Sequence, residues 1–505
     1  MTRDAELRPA PGPDLVPARP DAWPADATIE LCLAADDLAA LARIPDLVRA
    51  APGRAAAIVW YDDAEASLAR ERLSLHRDGP GWTLQRLQPG RGPEGRRADW
   101  PACTPAPIVD QAPAAADLQP PPPFDAAPVA AFEGRRRTYR LGPVDVELLH
   151  GALRGVVDTR AACRLRLSGP PDALATATPM LSNLRLSVPR ASLAQEALSV
   201  AKGQATPARH LGAPGVEAGV TVSDGLARIC SHLLDVLLHW VDEYRSDARP
   251  EAVHQARVAT RRLRSALSLY KRVAPAPELL EAGLALKSCA ERLGAARDWD
   301  VFLAGAGDRL GRATEGDARI ASLLRAARRQ QKLAHAELAA YLAGPVFRGL
   351  ELQLGLAAAL RPWEREGNVA SLRAPTAAYA GEVLARRFKH VRQRGKRLDS
   401  LPVLELHELR KDCKRLRYAA EFFVPAFPAK AVKPFISRLT ALQEELGALN
   451  DASVVVALMK QLGRAGRGYA GGVVEGWAGA AAAPARARIA AQWKRFRTVE
   501  PFWTA

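Results

Sequence analysis

One segment of this chain occurs twice, and the constant spacing between its copies constrains the fold more than any other sequence feature. Each copy places a histidine ahead of a row of basic residues. At an offset of 153, the first-copy residues His254, Arg257, Arg261, Arg262, Leu263 and Arg264 become His407, Arg410, Lys414, Arg415, Leu416 and Arg417. Leu293, Gly294 and Asp298 also have counterparts at this offset, so the register extends beyond one helix. A repeat of this length without gaps predicts two copies of one helical unit.

The chain from about Gly225 onward has the composition and periodicity of helices. Ala, Leu, Arg and Glu recur with a 3.6-residue period, interrupted by short stretches such as "APAPE", "RPWEREGN" and "VPAFP". We therefore predict an all-helical domain at residues 221–505, with repeat halves at about 221–370 and 371–505.

The first part of the chain has a different pattern. Short alternating or apolar runs such as "TIELCL", "AAAIVWY" and "CRLRLSG" are separated by turn residues and indicate strands. Residues 28–200 are predicted to form an α+β domain, preceded by a disordered leader at 1–27 and followed by a linker at 201–220. The stretch "CTPAPIVDQAPAAADLQPPPPFD" is predicted to be a long loop, because proline cannot donate to a sheet ladder.

The surplus of positive over negative charge lies in the helical part. The chain has a formal net charge of +16, and residues 221–505 hold 46 Lys and Arg against 29 Asp and Glu. Residues 1–220 hold 25 against 26. This distribution favours a polyanion-binding module joined to a domain of another kind.

The cysteines and the apolar runs exclude several classes of protein. The six cysteines are scattered singly, with no CxxC pair and no Cys/His cluster, so no zinc site is predicted and a reducing compartment is favoured. The N-terminus lacks the apolar segment of a signal peptide, and no run of about eighteen apolar residues occurs. We expect a cytoplasmic protein that binds no membrane and no cofactor.

The repeated helix is amphipathic with a basic face. The basic residues 3, 7 and 10 positions after each histidine share one side of the helix with it. Such faces commonly contact solvent, but acidic residues at i±4 would then relieve a like-charge repulsion of roughly 0.2–0.5 kcal/mol per pair. None occurs between His254 and Arg264, and in the second copy Glu408 and Asp412 fall outside the basic arc. The repeated, uncompensated face predicts a polyanion site.

A third basic helix and the repeated histidines support this prediction. In "ARRFKHVRQRGKRL" (Ala385–Leu398), the basic residues on the side opposite the apolar ones are Arg386, Lys389, His390 and Arg397. A lone histidine is more often an ordinary surface residue, but its recurrence in both copies favours a ligand contact. Arginine holds phosphate oxygens with paired hydrogen bonds and lysine acts as a point charge, so a row of both suits a linear chain of phosphates.

The two signatures, HxxRVxxRRLRxxL at His254–Leu267 and HxLRxxxKRLRY at His407–Tyr418, resemble the CHAD domain, a conserved-histidine α-helical domain. The resemblance covers about residues 220–505. It implies two pseudo-symmetric four-helix bundles with a basic groove between them. Such a domain binds inorganic polyphosphate in the groove and often localises to polyphosphate granules. The polyphosphate-binding residues predicted on this basis are His254, Arg257, Arg261, Arg262, Arg264, Arg386, Lys389, His390, His407, Arg410, Lys411, Lys414, Arg415 and Arg417.

Residues 28–200 resemble a degenerate CYTH domain, the triphosphate-tunnel β-barrel that often precedes a CHAD domain. Its first-strand ExExK signature becomes "TIELC", in which only Glu30 survives. Ser74 and His76 stand where the family has tunnel arginines, and Arg164 and Arg166 stand near its metal-binding glutamates. Arginine in place of carboxylates implies loss of the divalent-cation site, so we predict neither a catalytic nor a metal-binding residue.

These inferences favour a non-catalytic polyphosphate-binding protein associated with polyphosphate granules. A metal-dependent tri- or polyphosphatase acting through the CYTH-like domain is the first alternative. A nucleic-acid binder is the second, disfavoured because the basic helices carry almost no aromatic residues on which bases stack. The sequence does not identify protein partners.

Overall fold

The computed structural model of the chain describes residues 27–71, 73–79, 81–86, 106–108, 127–181, 183–204, 211 and 214–504. The predicted leader therefore lies outside the described residues except for Ala27, and the predicted linker lies partly outside them. The described chain has two parts, an antiparallel sheet followed by a helical region.

The N-terminal part is built on one antiparallel sheet with four helices. The strands are β1 (Ala27–Leu33), β2 (Leu47–Arg49), β3 (Arg54–Asp62), β4 (Leu73–Asp78), β5 (Gly81–Arg86), β6 (Ala106–Ile108), β7 (Ala127–Leu141), β8 (Val144–Arg154), β9 (Thr159–Gly169) and β10 (Leu186–Ser187). The helices are α1 (Leu38–Leu41), α2 (Ser67–Arg70), α3 (Pro171–Met180) and α4 (Leu193–Ala201). The predicted α+β class is confirmed for this part of the chain.

The sheet is open. Its strand order is β10-β1-β9-β8-β7-β3-β4-β5-β6, with β2 paired to one end of β7. The outermost strands β10 and β6 do not pair with each other among the described residues, so the sheet is a curled half-barrel rather than a closed barrel. This architecture is consistent with a triphosphate-tunnel-like domain.

One local prediction is wrong. The proline-rich stretch was predicted to be loop, yet Ala106–Ile108 within it forms β6, with Pro107 opposite Thr83 of β5. An edge strand tolerates proline because the missing N–H has no neighbouring strand to bond. The rest of that stretch lies outside the described residues.

The two faces of the sheet have different roles. Alternation along the strands places Ile29, Val146 and Leu165 on one face, the core face, which packs against α3. The other face carries Glu30, Glu147 and Arg166 in directly opposed positions on β1, β8 and β9, and we call it the ion-pair face. Helix α4 packs on the same side, over an apolar cluster formed by β3, β7 and β8.

The rest of the chain is helical, as predicted. The helices are α5 (Val222–Ser246), α6 (Pro250–Tyr270), α7 (Pro277–Phe302), α8 (Asp308–Ala313), α9 (Ala318–Ala343), α10 (Pro345–Leu360), α11 (Trp363–Glu366), α12 (Val369–Arg373), α13 (Thr376–Gly395), α14 (Val403–Phe422), α15 (Ala429–Gln461), α16 (Tyr469–Ala482) and α17 (Ala485–Phe496). A π-helical turn, Leu303–Gly307, joins α7 to α8. Several helices begin with proline at the first turn, where its missing N–H has no helical partner to lose.

The sequence repeat is a repeat of helices. Helices α6 and α14 begin at Pro250 and Val403, which are 153 residues apart, and α7 and α15 begin within one residue of the same offset. The equivalent ends of α6 and α14 meet in the core, where the rings of Tyr270 and Phe423 lie 6.4 Å apart. One continuous apolar cluster includes residues from both repeat halves.

The sheet docks on the helical region through α10. Leu352 and Leu360 of this helix pack into the core-face cluster. The backbone N–H of Val188 donates to Glu351 Oε1 at 2.8 Å, which adds a buried polar contact. Within the described residues, none of the helices has the length and apolarity that crossing a lipid bilayer requires.

Candidate functional site

The two repeated basic helices line one cleft. Helices α6 and α14 contact each other, and a cleft of about 1230 Å³ lies along them, completed by the C-terminal parts of α7 and α15 and by α16. Nine arginine and lysine residues line it against two aspartates, Asp298 and Asp451. The opposite side of α6 is buried, as its amphipathic pattern predicts, with Ala256 and Leu263 in the core.

The structure brings nine of the fourteen predicted binding residues to this cleft. They are His254, Arg257, Arg261, Arg264, His407, Arg410, Lys411, Lys414 and Arg415. Arg297 and Arg309 also line the cleft and were not predicted. They come from α7 and α8, outside the repeated basic helix, and only their place in the three-dimensional fold reveals them.

The other five predicted residues do not line the cleft. Arg386, Lys389 and His390 are exposed on α13. Arg262 and Arg417 both bind Glu421, with Arg262 Nη2 and Arg417 Nε at 2.8 and 3.2 Å from its two carboxylate oxygens. This carboxylate neutralises part of the charge beside the cleft.

Gly294 of the first copy and the aspartates of both copies contribute to the cleft. Arg257 Nη1 lies 3.7 Å from Asp298 Oδ1, and its guanidinium crosses α7 at Gly294. A Cβ at residue 294 would lie 2.5 Å from Arg257 Nη1, so any larger residue would displace this arginine. In the second copy Asp451 also lowers the electrostatic cost of Arg410. The sequence showed these residues only as markers of the register.

The cations in the cleft are crowded and partly desolvated. Burial lowers the pKa values of Arg257 and Arg410 below the usual arginine range. Burial, followed by the positive charges of Arg410, Arg261, Arg257 and Arg417, lowers the pKa of Lys414 to about 7. Each shift disfavours the charged form, so a bound anion would relieve the electrostatic cost of this arrangement.

His254 follows the same pattern. Burial lowers the pKa of its imidazole, and neighbouring arginines, led by Arg297, lower it further. An anion beside the ring would raise that pKa and favour a charged donor. The site can therefore gain hydrogen-bond donors as well as lose repulsion when an anion binds.

The ion-pair face of the sheet is a second group of charged residues, with a different arrangement. Three arginines and four carboxylates alternate along one chain of contacts. In order these are Glu196, Arg164, Glu30, Arg166, Glu147, Arg136 and Asp78, with successive N···O distances of 2.6, 3.2, 3.0, 3.5, 3.0 and 2.5 Å. Each arginine thus lies between two carboxylates, and the array carries no positive surplus.

The residues of this face do not fit the divalent metal that the tunnel resemblance implies. The two oxygens of Glu30 already contact Arg164 and Arg166, which occupy the predicted positions and whose fixed charges repel a cation. His76 is neutral near pH 7, because burial and then Arg166 lower its pKa to about 4. Among the described residues, no group of three His, Cys, Asp or Glu side chains is arranged to hold a metal ion.

Comparison with known proteins concerns the helical region. The family model of the CHAD domain matches residues 228–460. The crystal structure of the CHAD domain from the plant Ricinus communis is 26% identical, covers 59% of this chain and 98% of its own, and superposes with a TM-score of 0.50. PptA from Streptomyces chartreusis is 16% identical and covers 57% of this chain and 100% of its own, with a TM-score of 0.42. No curated protein matches the chain. The family model and the plant structure together identify residues 228–460 of this chain as a CHAD domain.

Proposed function

We propose that the cleft between the repeat halves binds inorganic polyphosphate without chemically altering it. The observation that carries this proposal is the composition of the cleft, which has nine arginine and lysine residues against two aspartates. Like charges on neighbouring positions of a helix destabilise it, and either carboxylates or a bound anion can compensate them. A linear chain of phosphates offers one oxyanion after another to the row of cations along α6 and α14.

The chemistry of the cations suits phosphate oxygens. A guanidinium donates two parallel hydrogen bonds to one phosphate group, and each charge-assisted hydrogen bond contributes about 1.5–3 kcal/mol net. Because positions 0, 3 and 7 of each basic helix lie along one side of it in the cleft, the donors follow the helix axis rather than converging on one point. This arrangement favours an extended chain over a single phosphate.

The ion-pair face supports a structural rather than a catalytic role for the sheet. Metal-assisted phosphate hydrolysis needs free carboxylates to hold the metal, whereas those of the ion-pair face contact arginines. If the protein were a metal-dependent phosphatase, it would release phosphate from tripolyphosphate in the presence of Mg²⁺ or Mn²⁺, and Glu30→Ala would abolish that release. We expect no release by the wild-type protein.

Charge reversal in the cleft tests the proposal. Arg257→Glu with Arg410→Glu should weaken binding of long-chain polyphosphate at least about a hundredfold, since two charge-assisted contacts are lost and replaced by repulsion. Titration calorimetry measures the affinity, and circular dichroism confirms that the helices remain. Arg264→Glu with Arg415→Glu, both exposed cleft residues, provides a second pair if the first reduces folding.

A matched control comes from α13. Arg386→Glu with Lys389→Glu makes the same change in net charge on an exposed helix outside the cleft lining, and should change the affinity by less than about threefold. If the α13 pair removes binding while the cleft pair retains it, the proposed site is wrong. Competition by single-stranded RNA at equal charge concentration distinguishes phosphoanhydride from phosphodiester ligands, and we expect RNA to compete weakly.

Association with polyphosphate granules follows from the same proposal. A fluorescent fusion of the full chain should form foci in cells that accumulate polyphosphate and become diffuse in cells that lack it. The Arg257→Glu, Arg410→Glu variant should be diffuse in both. Foci that persist without polyphosphate would contradict granule targeting through this ligand.

A further inference from the structure

The cleft has an apolar part that an inorganic phosphate chain does not use. Its basic lining comes mainly from α6 and α14. The C-terminal parts of α7 and α15, the π-helical turn and α16 contribute apolar side chains, among them Val301, Val454 and Trp477. Polyphosphate consists of oxyanions throughout and gains nothing from contact with these groups.

Packing of the core explains only some of these apolar residues. Phe302, Val455 and Leu458 are buried in the apolar cluster beneath the cleft. Val301 and Trp477, by contrast, are 44% and 36% exposed. In the part of the chain that the structure describes, no aromatic ring or guanidinium stacks on the indole of Trp477. Isolated exposed apolar residues are ordinary, but these two lie inside a concave, charged cleft.

The two repeat halves differ at this end of the cleft. Residues 303–307 form a π-helical turn, whereas the positions 153 residues later continue as regular α-helix in α15. Gly305 and Ala306 of the turn line the cleft, and a Cβ at residue 305 would meet no atom within 4 Å. The turn therefore leaves open space beside the apolar residues, and such turns are frequent at functional sites.

A ligand that matches the whole lining carries several phosphates and one planar apolar group. We propose that the cleft prefers nucleoside polyphosphates to inorganic chains with the same number of phosphates, with the phosphates on the basic helices and the base on Trp477. This inference rests on the proposed anion-binding function of the cleft and adds the class of end group that it recognises. A single-stranded nucleic acid fits less well, because it presents a base at every phosphate. Of the aromatic residues among the described lining, Phe302 and Tyr418 are buried and Trp477 alone is exposed.

The test compares two ligands in a mutational cycle. The full chain is titrated with adenosine 5′-tetraphosphate and with inorganic tetraphosphate, with long-chain polyphosphate as the control for a working cleft. We expect the wild type to bind the adenosine ligand about tenfold more tightly, a factor within the range of base–aromatic stacking. Trp477→Ala should remove this preference and leave the affinity for inorganic tetraphosphate unchanged.

The same helix provides a matched control variant. Tyr469 in α16 is 56% exposed, lies outside the cleft lining, and stacks with Arg319 instead. Tyr469→Ala should keep the tenfold preference. If Trp477→Ala fails to fold, Trp477→Phe retains a ring and should keep most of the preference, and adenosine tetraphosphate should quench its tryptophan emission less than that of the wild type.

The outcomes separate this inference from the proposed function. Equal affinities for the two tetraphosphates, or binding of long-chain polyphosphate alone, would overturn the inference and leave polyphosphate binding intact. Failure of all three ligands to bind would overturn both. Tighter, Trp477-dependent binding of a single-stranded oligonucleotide with the same number of charges would assign the aromatic contact to nucleic acid and contradict the nucleoside polyphosphate.

Discussion

The ion-pair face of the sheet and the cleft of the helical region both contain rows of arginine, but their electrostatics are opposite. On the sheet, Arg136, Arg164 and Arg166 each lie between two carboxylates. In the cleft, two aspartates face nine arginine and lysine residues. A row of arginines therefore does not by itself indicate an anion site. A local excess of positive charge is the better indicator, and that excess depends on contacts between elements that are distant in sequence.

Secondary structure explains how each balance arises. In an antiparallel sheet, residues directly opposite on neighbouring strands interact, so Glu30 and Glu147 of β1 and β8 flank Arg166 of β9. On a helix, neighbours on one face come from the same segment, and the basic segment His254–Arg264 contains no acid. The sheet alternates its charges across strands, whereas the basic helices do not.

The largest expected effect is that of salt, which should weaken ligand binding in the cleft strongly and change the stability of the sheet little. If six or more phosphates are bound, the affinity for polyphosphate falls by about 10³-fold or more between roughly 50 and 200 mM salt, because each contact releases counterions. Salt screens the partly buried ion pairs of the sheet much less. The urea concentration at which the sheet unfolds should therefore change little over the same range of salt. A binding constant that hardly changes with salt would contradict a multi-contact cleft.

Removing one arginine from the ion-pair face should destabilise the sheet. The side chain of Arg164 is only 6% exposed, and Arg164→Met would leave Glu30 and Glu196 buried without it, at a cost of about 3–5 kcal/mol. The control is Arg154→Met, because the Arg154–Glu133 pair is 57% exposed on both sides and contributes about 0.2–1 kcal/mol. Urea denaturation measures both. Equal, small effects would show that the buried array is not structural.

The affinity for polyphosphate should depend on pH through the titration of Lys414. Its pKa is about 7, because it is partly buried and faces Arg410 and Arg417 on its own helix and Arg257 and Arg261 on α6. Asp298 and Asp451 line the same cleft. Below pH 7 the lysine is already charged, so it adds no pH dependence. Above pH 7, binding must take up a proton, and the affinity for polyphosphate should fall by up to about tenfold per pH unit.

Lys414→Arg separates this effect from other titrations. Arginine stays charged, so the variant should lose most of the decrease between pH 7 and 8.5. Long-chain polyphosphate is the ligand to use, because its internal phosphates keep the same charge over this range. An unchanged pH profile in the variant would assign the dependence to another group, such as His254.

The smallest effect is expected at Glu421, which binds Arg262 and Arg417 beside the cleft. Glu421→Gln removes this neutralising charge and should raise the affinity for polyphosphate by about threefold. The control is Glu445→Gln, which removes a carboxylate from an ion pair with Arg488 outside the cleft lining. If the two variants act alike, the effect is one of net charge rather than of position.

The sequence predicted the structure within single segments but not the contacts between segments that are distant along the chain. The repeat at an offset of 153 predicted the helices and their buried faces, because helical periodicity is local. Together with the family resemblance it predicted nine of the residues that meet in the cleft. Neither Arg297 nor the neutralisation of Arg262 by Glu421 was predictable, since both depend on how helices pack. The substitutions at Arg164 and Arg166 were recognised from the motif, but their pairing with Glu30 required the strand register.

Pro107 in β6 bears on whether crowded copies of this protein would aggregate. If the proposed ligand is a long phosphate chain, it would bring several molecules close together, and the outermost described strands of their sheets could then pair with one another. At one edge, β6 is three residues long and lacks a backbone donor at Pro107. At the other, β10 has two residues and packs against α10. Both edges are poor templates for another strand, which should keep crowded copies from aggregating through their sheets.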